Sequence, residues 1–390
     1  MRRGFLGGTF NPPHLGHVLA AAEAARELAL EALYVIPAGT PPHKELPEGG
    51  ADGAQRLEMT ILAFRDIPGL EVLDWELKRA GKSYTADTVE RLLAEDPEGE
   101  LWMLCGTDMF ETLSDWHRGD WLLETLKVAA YPRKTGEEAV IDAVAEDYRR
   151  DYGTETRRIR VEPLEVSSTQ LRELLQEGRG ARLLPKEVYR YILKNRLYGA
   201  RPEPDALWEM VRPWYKKSRI PHVLGCRETA VRLAKRWGAD VLDAENAAIL
   251  HDMTKKMPVE EQLQYCEKRG IINFSFRPEY EATLHAFSGA AAAALEFGVS
   301  PEVESAIRWH TTGRADMSLL EKILWLADYI EPNRTTPGLE EIRRLADRDL
   351  DEALRRAMKN SLSYLEKRGA VPHPATREAL DFLCGGEVSP

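Results

Sequence analysis

Short apolar runs alternate with amphipathic helical patterns through the first half of the chain. The spacing of Leu, Ala and charged residues predicts helices over Leu15–Leu30 and Ala86–Leu93, and capped or periodic segments predict two more at Ser167–Gln176 and Lys186–Leu197. The apolar runs between them predict buried strands at Gly4–Leu6, Leu33–Ile36, Leu70–Leu73, Leu101–Cys105 and Val128–Tyr131. This alternation is typical of the α/β class with a Rossmann-like, doubly wound parallel sheet.

The pattern changes after Tyr198. The segment YGARPEP at residues 198–204 is rich in Gly and Pro and interrupts any helix. Beyond Asp205, helical patterns follow one another with prolines between them, and no alternating strand pattern occurs. We therefore predict two domains, an α/β domain over residues 1–200 and an all-α domain over residues 205–390.

Composition limits the partners that the chain can bind. The formal net charge of −11 argues against DNA or RNA, because non-specific binding depends on Lys and Arg neutralising phosphates. No apolar run is long enough to span a bilayer, and the first residues lack the apolar stretch of a signal peptide, so we expect a cytoplasmic protein with no membrane partner. Four isolated cysteines without a CxxC pair indicate neither a zinc site nor a disulfide framework. The sequence does not determine whether the chain forms a homo-oligomer.

A Gly-rich turn with two histidines directly follows the first predicted strand. It reads GGTFNPPHLGH over residues 7–17 and contains His14, Gly16 and His17. Ligands of open α/β sheets bind at this end of a strand, where glycines let the backbone approach a phosphate and the next helix offers free N–H groups. Two imidazoles add donors for phosphate oxygens. The combination favours a phosphate site over a tight turn with a structural histidine.

The first 200 residues resemble the H-x-G-H nucleotidyltransferase superfamily, and within it the bacterial nicotinate-nucleotide adenylyltransferases. The matching segments follow the family's order: PPHK at 41–44, Arg56 with Met59, SYTADT at 83–88, GTD at 106–108, Trp116, Arg133 and SSTQLR at 167–172. Asn11 departs from the family, which commonly has Asp there, so no charged role is assigned to it. The resemblance implies transfer of AMP from ATP to nicotinate mononucleotide by direct attack on the α-phosphorus, with release of pyrophosphate and no protein nucleophile.

The same resemblance implies a role for individual residues. His14 and His17 make the catalytic phosphate contacts, and Mg²⁺ accompanies ATP. The residues implied to hold ATP are Gly7, Gly8, Thr9, Phe10, Gly16, Gly106, Asp108, Ser168, Thr169 and Arg172. Those implied to hold the mononucleotide are Lys44, Tyr84, Thr85, Trp116 and Arg133.

Several of these assignments have open alternatives. Ser168 and Thr169 also fit a helix cap, and Trp116 also fits a core aromatic. Lone basic residues such as Lys44, Arg133 and Arg172 also fit a solvated surface. Nicotinamide mononucleotide and phosphopantetheine remain alternative acceptors, although phosphopantetheine enzymes are usually shorter and lack the 83–88 and 106–108 segments.

Histidines and aspartates recur at helix-length intervals in the second half. The set consists of His222, His251 with Asp252, His285, His310 and Asp328, and it includes four of the nine histidines of the chain. Imidazole and carboxylate are the ligands of Fe, Mn and hydrolytic metal pairs. We place the His251-Asp252 pair within a helix, where adjacent side chains diverge and one carboxylate can bridge two ions. An ordered set favours a metal centre over isolated structural histidines.

Residues 205–390 resemble the HD phosphohydrolase superfamily, most closely the small bacterial HD proteins that split diadenosine tetraphosphate symmetrically into two ADP. The matching segments are PHVLG, HD with Lys255, HAFSGA, HTTG and LADYIEPNR. The resemblance implies one iron or manganese ion held by His222, His251, Asp252 and Asp328, and a second held by His285 and His310 with Asp252 bridging. It also implies that Lys255 acts in catalysis and that Lys255 and Arg334 stabilise the polyphosphate, although each residue alone fits a surface charge equally well. A nucleotide-binding regulator without turnover remains the alternative for this half.

Overall fold

The computed structural model describes residues 1–39, 50–79, 81–271 and 280–385. The chain forms two units, one of Met1–Ile192 with Leu197–Ala200 and one of Leu193–Arg196 with Arg201–Pro390. All four cysteines are free thiols, and three of them are buried. None of the helices in the described ranges combines the length and apolar character needed to cross a membrane.

The first unit is built around a six-stranded parallel sheet. Its strands are β1 (Arg2–Gly8), β2 (Ala32–Pro37), β3 (Leu70–Val72), β4 (Glu100–Gly106), β5 (Lys127–Tyr131) and β6 (Thr156–Arg158). They lie in the order β3-β2-β1-β4-β5-β6, with Leu6 of β1 level with Val35 on one side and Leu104 on the other. The order reverses between β1 and β4, and ligands of such sheets bind in the crevice at the carboxyl ends beside that reversal.

Helices connect the strands and cover the sheet. They are α1 (Leu15–Glu27), α2 (Gly53–Phe64), α3 (Thr85–Glu95), α4 (Thr107–Phe110), α5 (Gly119–Thr125), α6 (Glu138–Tyr152), α7 (Ser168–Gln176) and α8 (Lys186–Lys194). Apolar strand residues such as Phe5, Met103 and Val128 pack in one buried cluster with Val89 of α3 and Leu122 of α5. Burial of these alternating positions fixes the sheet against its helices.

The predicted α/β class is confirmed, with shifts at the element ends. The first helix ends at Glu27 rather than Leu30, because the chain reverses at Ala29, whose φ is 47°. The last predicted helix ends at Lys194, before the left-handed residues Arg196 and Tyr198. The sixth strand escaped prediction because its sequence, Thr-Arg-Arg, carries no apolar run.

The second unit is helical, and no strand occurs among its described residues, which confirms the predicted all-α class. Its helices are α9 (Pro204–Val211), α10 (Ile220–Trp237), α11 (Val241–Leu250), α12 (Val259–Lys268), α13 (Glu281–Phe297), α14 (Pro301–Trp309), α15 (Leu319–Ile330), α16 (Leu339–Ala346), α17 (Leu350–Lys367) and α18 (Pro374–Leu383). The run Ala290–Ala294 is buried, and such small side chains allow close approach of neighbouring helices. His373 caps α18, because its Nδ1 accepts from the backbone N–H of Ala375 over 3.2 Å.

Candidate active sites

A cavity of about 390 Å³ opens at the carboxyl end of the sheet in the first unit. Its walls come from the ends of β1, β2, β4 and β5 and from the starts of α3 and α7. The predicted residues that line it are Gly7, Gly8, Thr9, Phe10, His17, Tyr84, Thr85, Asp108, Trp116, Arg133, Ser168, Thr169 and Arg172. The fold therefore gathers in one place residues that are up to 165 positions apart in the chain.

The remaining predicted residues of this half lie beside the cavity or outside the described residues. His14 and Gly16 line a small pocket that shares His17 and Arg133 with the cavity. Gly106 ends β4, and a Cβ atom there would lie 2.6 Å from Cδ of Arg133, so glycine leaves room for that arginine. Lys44 falls in residues 40–49, outside the described residues.

The two histidines pack against each other at the start of α1. Their ring centroids are 3.7 Å apart, and the backbone N–H of His14 donates to Nδ1 of His17 over 3.2 Å. A ring nitrogen that accepts a hydrogen bond carries no proton, so neutral His17 holds its proton on Nε2. His14 is 4% exposed, and neither of its ring nitrogens makes a hydrogen bond. The pair therefore retains N–H capacity that the protein does not use.

Burial keeps both rings neutral. It lowers the pKa of His14 to about 4, with a further contribution from the charge of Arg133. It also lowers the pKa of His17 well below the usual value, helped by His14 and Arg133. A neutral imidazole can donate a hydrogen bond without carrying a positive charge. A bound anion would raise the pKa of both histidines, because negative charge favours the protonated ring.

The phosphate loop, residues 7–17, is held through its carbonyl oxygens by side chains from two distant helices, α2 and α7. Arg56 of α2, which is buried, donates to Thr9 O over 2.8 Å and to Ala38 O over 2.7 Å. Arg172 of α7 donates to Asn11 O over 2.8 Å, and Ser168 Oγ donates to Pro12 O over 3.0 Å. With the carbonyl groups engaged on one side, the loop keeps a fixed shape beside the cavity.

The start of α7 decides against two alternatives from the sequence, a cap role for Ser168 and Thr169 and a solvated surface position for Arg172. Ser167 is the N-cap residue, whose Oγ accepts from the backbone N–H of Gln170, so Ser168 and Thr169 are helical residues and not caps. Arg172 turns toward the phosphate loop, and its second nitrogen donates to Thr169 Oγ1 over 3.1 Å. The positive end of α7 and the guanidinium of Arg172 thus face the cavity together.

The lining of the cavity also includes aromatic and polar side chains. Tyr84 packs against His117 with ring centroids 4.4 Å apart, and half-buried Trp116 lies next along the chain. Arg133 pairs with Asp108 over 2.8 Å, so it is neither a free surface cation nor fully available to a ligand. An aromatic ring of a ligand can stack here, beside hydroxyl and N–H donors.

Sequence reasoning missed Glu76 and His117 in this cavity. Glu76 is buried, its carboxylate accepts from Thr88 Oγ1 over 2.8 Å, and its carbonyl oxygen accepts from Ser83 Oγ. Burial raises the pKa of Glu76. The only signal in the sequence was that Glu76 lies near the 83–88 segment. A single Glu at such a position fits a surface charge equally well.

The second unit brings all six predicted ligands together, three from within helices and three from the residues that directly follow α11 and α14. His222 comes from the first turn of α10, His285 from α13 and Asp328 from α15, and His310 follows the end of α14. His251 and Asp252 directly follow α11, so the expectation that they lie within a helix was wrong. Because the helix ends there, the two side chains converge, with Nε2 and Oδ2 3.5 Å apart.

Asp252 lies between two groups of histidines. Its Oδ2 is 3.5 Å from Nε2 of His251 and 3.9 Å from Nε2 of His222, which also lies 3.0 Å from Oδ1 of Asp328. Its other oxygen, Oδ1, is 3.0 Å from Nε2 of His285 and 3.7 Å from Nε2 of His310. One carboxylate therefore faces two separate clusters of donor atoms.

Partners outside the cluster orient the rings. Nδ1 of His251 contacts Ala248 O at 2.7 Å, and Nδ1 of His310 contacts Ile307 O at the same distance. A carbonyl oxygen can only accept, so both rings carry the proton on Nδ1 and turn a bare Nε2 toward the centre. Nε2 of His310 makes no hydrogen bond although it is buried.

Glu331 supports His222 in the same way, with Oε1 3.2 Å from Nδ1. Gly225 makes this contact possible, because a Cβ atom there would lie 2.5 Å from Oε2 of Glu331. Glu331 is buried, and sequence reasoning did not assign it a role although it stands in the LADYIEPNR segment.

The surroundings favour ionised Asp252 and Asp328 together with neutral His285 and His310. Burial alone would raise the pKa of both carboxyl groups. Neighbouring histidines outweigh it at Asp252, and His222 with Arg334 outweighs it at Asp328, so both pKa values lie well below the usual range. Burial lowers the pKa of His285 to about 4 and also lowers that of His310. These protonation states are the ones in which carboxylate and imidazole bind metal ions.

Three cations surround the carboxylates. Arg219 donates to Asp252 Oδ2 over 2.5 Å, Lys255 to Asp252 Oδ1 over 3.1 Å, and Arg334 to Asp328 Oδ1 over 2.7 Å. Sequence reasoning named Lys255 and Arg334 but missed Arg219, which lies on a short turn before α10. Their heads are partly exposed, so they can also contact an anionic ligand.

The donor set fits a divalent transition metal. His222, His251 and Asp328 have ligand atoms within 4.8 Å of one another, and so do His251, Asp252 and His310. Buried imidazole nitrogens without protons and a shared carboxylate are the chemistry that iron or manganese requires.

Comparisons with known proteins find separate matches in the two halves of the chain. A family model described as cytidylyltransferase-like matches residues 5–174, and one described as HD domain matches residues 219–333. A probable nicotinate-nucleotide adenylyltransferase of Oceanobacillus iheyensis is 40% identical over 197 residues, covering 50% of this chain and 96% of the relative. A symmetrical bis(5'-nucleosyl)-tetraphosphatase of Bacillus subtilis is 41% identical over 179 residues, covering 45% of this chain and 95% of the relative.

The second half is also similar to a solved structure. It is a predicted HD superfamily hydrolase involved in NAD metabolism from Clostridium acetobutylicum, with a TM-score of 0.43 and 34% identity, covering 46% of this chain and 96% of that one. Through its first half the chain belongs to the cytidylyltransferase-like family, among the nicotinate-nucleotide adenylyltransferases, and through its second half it belongs to the HD domain family.

Proposed function

We propose that the first half transfers AMP from ATP to nicotinate mononucleotide, giving the deamido dinucleotide and pyrophosphate. The observation that carries the proposal is the histidine pair at the mouth of the cavity, in which Nδ1 of His17 is occupied and Nε2–H is left to donate. The positive end of α7 and Arg172 lie on the same cavity and suit the triphosphate.

The reaction needs positioning and charge stabilisation rather than a protein nucleophile. An oxygen of the mononucleotide phosphate attacks the α-phosphorus, the bond from that phosphorus to the bridging oxygen of the β-phosphate breaks, and pyrophosphate leaves with the electron pair. His17 and His14 would donate to oxygens that gain negative charge, and Arg172 with the start of α7 would hold the outer phosphates. Mg²⁺ bound with ATP would offset part of the triphosphate charge.

We assign the mononucleotide acceptor to the part of the cavity that Tyr84, Thr85 and Trp116 line. A pyridine ring would stack beside Tyr84 and Trp116, and the hydroxyl of Thr85 with backbone N–H groups would hold its carboxylate. The test is a panel of nicotinate mononucleotide, nicotinamide mononucleotide and phosphopantetheine, each with ATP and Mg²⁺. We expect the highest kcat/KM with the acid, and a preference for either other acceptor would overturn this part of the proposal.

We propose that the second half hydrolyses diadenosine tetraphosphate symmetrically to two ADP. The observation that carries it is Asp252, which offers one oxygen to each of two donor clusters while three cations surround the centre. His222, His251 and Asp328 would hold one ion, and His285 with His310 the other. When bound, iron or manganese would activate water and offset phosphate charge.

The residues of this chain would then position the phosphates. Arg219, Lys255 and Arg334 would exchange part of their contact with the carboxylates for contact with phosphate oxygens, as charge-assisted hydrogen bonds. Glu331 and the backbone carbonyl groups behind His251 and His310 would hold the rings in place during turnover.

A regulator that binds the nucleotide without turnover is the second candidate for this half. The assay that separates the two is release of ADP from diadenosine tetraphosphate in the presence of Fe²⁺ or Mn²⁺. We expect metal-dependent release of two ADP per substrate. Tight binding of the substrate without release of ADP would favour the regulator instead.

A further inference from the structure

Tyr198 reaches the phosphate loop from the segment that follows α8. Its hydroxyl donates to Oδ1 of Asn11 over 2.7 Å, across 187 positions of sequence, and both residues are buried. The backbone oxygen of Tyr198 accepts from Nε2 of Gln176 over 3.0 Å, which fixes the segment to the end of α7. Neither the sequence motifs nor the transfer chemistry described above assigns Tyr198 a role.

Tyr198 holds this position at a conformational cost. Its φ is 62°, in the left-handed region that a residue with a Cβ atom avoids. Phe10, which directly precedes Asn11, has a φ of 47°. Non-glycine residues are retained in this region where surrounding structure fixes them, and such positions cluster at functional sites.

The contact determines how the side chain of Asn11 is used. Because Oδ1 accepts from the tyrosine, the amide nitrogen Nδ2 points away from Tyr198, and it is buried without a hydrogen-bond partner. A buried donor without a partner is costly, and a ligand that supplies an acceptor would remove that cost. Asn11 lines the cavity, and its backbone oxygen is already held by Arg172.

We propose that Tyr198 is a positioning residue of the transfer site: its hydroxyl orients the amide of Asn11 so that Nδ2 donates to a phosphate oxygen of bound ATP. This inference rests on the proposed adenylyl transfer. Burial raises the pKa of Tyr198 far above neutrality, so the hydroxyl stays protonated and remains a donor.

The test compares three variants of the full chain. Tyr198→Phe removes only the hydroxyl. Asn11→Ala removes both the acceptor Oδ1 and the donor Nδ2, and the third variant combines the two substitutions. We expect Tyr198→Phe to lower kcat/KM for ATP about 10-fold, the effect of one lost hydrogen bond to a group at the reacting phosphates. The double variant should match Asn11→Ala, because the two changes interrupt one contact.

Asn11→Asp separates the acceptor from the donor. The carboxylate still accepts from Tyr198 but replaces the amide N–H with negative charge. We expect KM for ATP to rise about 10-fold or more while kcat changes much less. A merely structural role for Asn11 would not produce this division between KM and kcat.

Tyr148→Phe is the matched control. Tyr148 is also buried in the first unit and donates to a carbonyl oxygen, that of Phe110, over 2.7 Å, but it does not touch the phosphate loop. It should lose similar thermal stability and keep its kcat/KM.

Two measurements keep this inference separate from the proposed function. If the wild-type chain forms no dinucleotide, the transfer proposal fails, and calorimetric binding of a non-hydrolysable ATP analogue then decides the inference. In that case Tyr198→Phe should still raise Kd several-fold and Tyr148→Phe should not. Equal kcat/KM and Kd in Tyr198→Phe and wild type, or additive effects in the double variant, would overturn the inference.

Discussion

The two histidines of the phosphate loop occupy different environments. His17 uses one ring nitrogen to fasten the start of α1 and keeps the other free, whereas both nitrogens of His14 are buried without partners. The motif predicted that both would face a phosphate. The motif could not predict which ring nitrogen of His17 faces the phosphate, because this depends on the hydrogen bond from the backbone N–H of His14 to Nδ1 of His17.

His17→Asn tests this difference at a single atom. The asparagine Oδ1 can still accept the His14 N–H, so the start of α1 should remain intact, but the donor at the position of Nε2 is lost. We expect adenylyl transfer to fall about 100-fold with little change in thermal stability. His17→Ala should lose at least as much activity and also some stability. Near-normal turnover in His17→Asn would contradict the assignment.

The buried state of His14 predicts an acid-sensitive first unit. Its folded pKa of about 4 lies below the usual 6.5, so the unfolded chain takes up the proton first as pH falls. The stabilisation is present above pH 6.5 and is lost as pH falls toward 4, by up to about 3 kcal/mol. An NMR titration should show the His14 imidazole neutral at pH 5.5, and a midpoint near 6.5 would refute this.

At the scale of elements, periodicity predicted five of the six strands, because the sheet is buried and its strands are apolar, and it predicted α1, α3, α7 and α8 among the helices. It missed β6, a polar edge strand, and it misplaced His251 and Asp252 within a helix. Both errors have one cause: where an element ends or joins an edge, backbone hydrogen bonds decide the structure and side-chain pattern carries little information.

The start of α7 offers a test of an element rather than a residue. Ser167→Ala removes the cap, and we expect about 1 kcal/mol lower stability together with a raised KM for ATP, because Ser168, Thr169 and Arg172 depend on that first turn. Ser318→Ala is the matched control, since Ser318 caps α15 in the same capping-box arrangement. It should lose similar stability without a change in KM for ATP, and equal KM effects in both variants would count against a specific role for α7.

At the scale of the whole molecule, each site is complete within one unit. The cavity and the loop beside it use residues up to Arg172 and Tyr198, and the histidine–aspartate cluster with its surrounding cations uses residues from Arg219 to Arg334. The ordered motifs predicted both sites because each set of side chains is specific as a group. Supporting residues such as Tyr198, Arg219 and Glu331 were not predictable, because the role of each depends on a contact with a residue distant in sequence.

The most direct measurement assays wild type, His17→Asn and Asp252→Asn for both activities, dinucleotide formation from ATP and nicotinate mononucleotide, and ADP release from diadenosine tetraphosphate with Mn²⁺. We expect His17→Asn to lose transfer and keep hydrolysis. Asp252→Asn should lose hydrolysis by at least about 10-fold to 100-fold, as even partners of metal ligands contribute that much, and keep transfer. A wild-type chain that makes no dinucleotide, or a His17→Asn chain that makes it at the wild-type rate, would contradict the central claim.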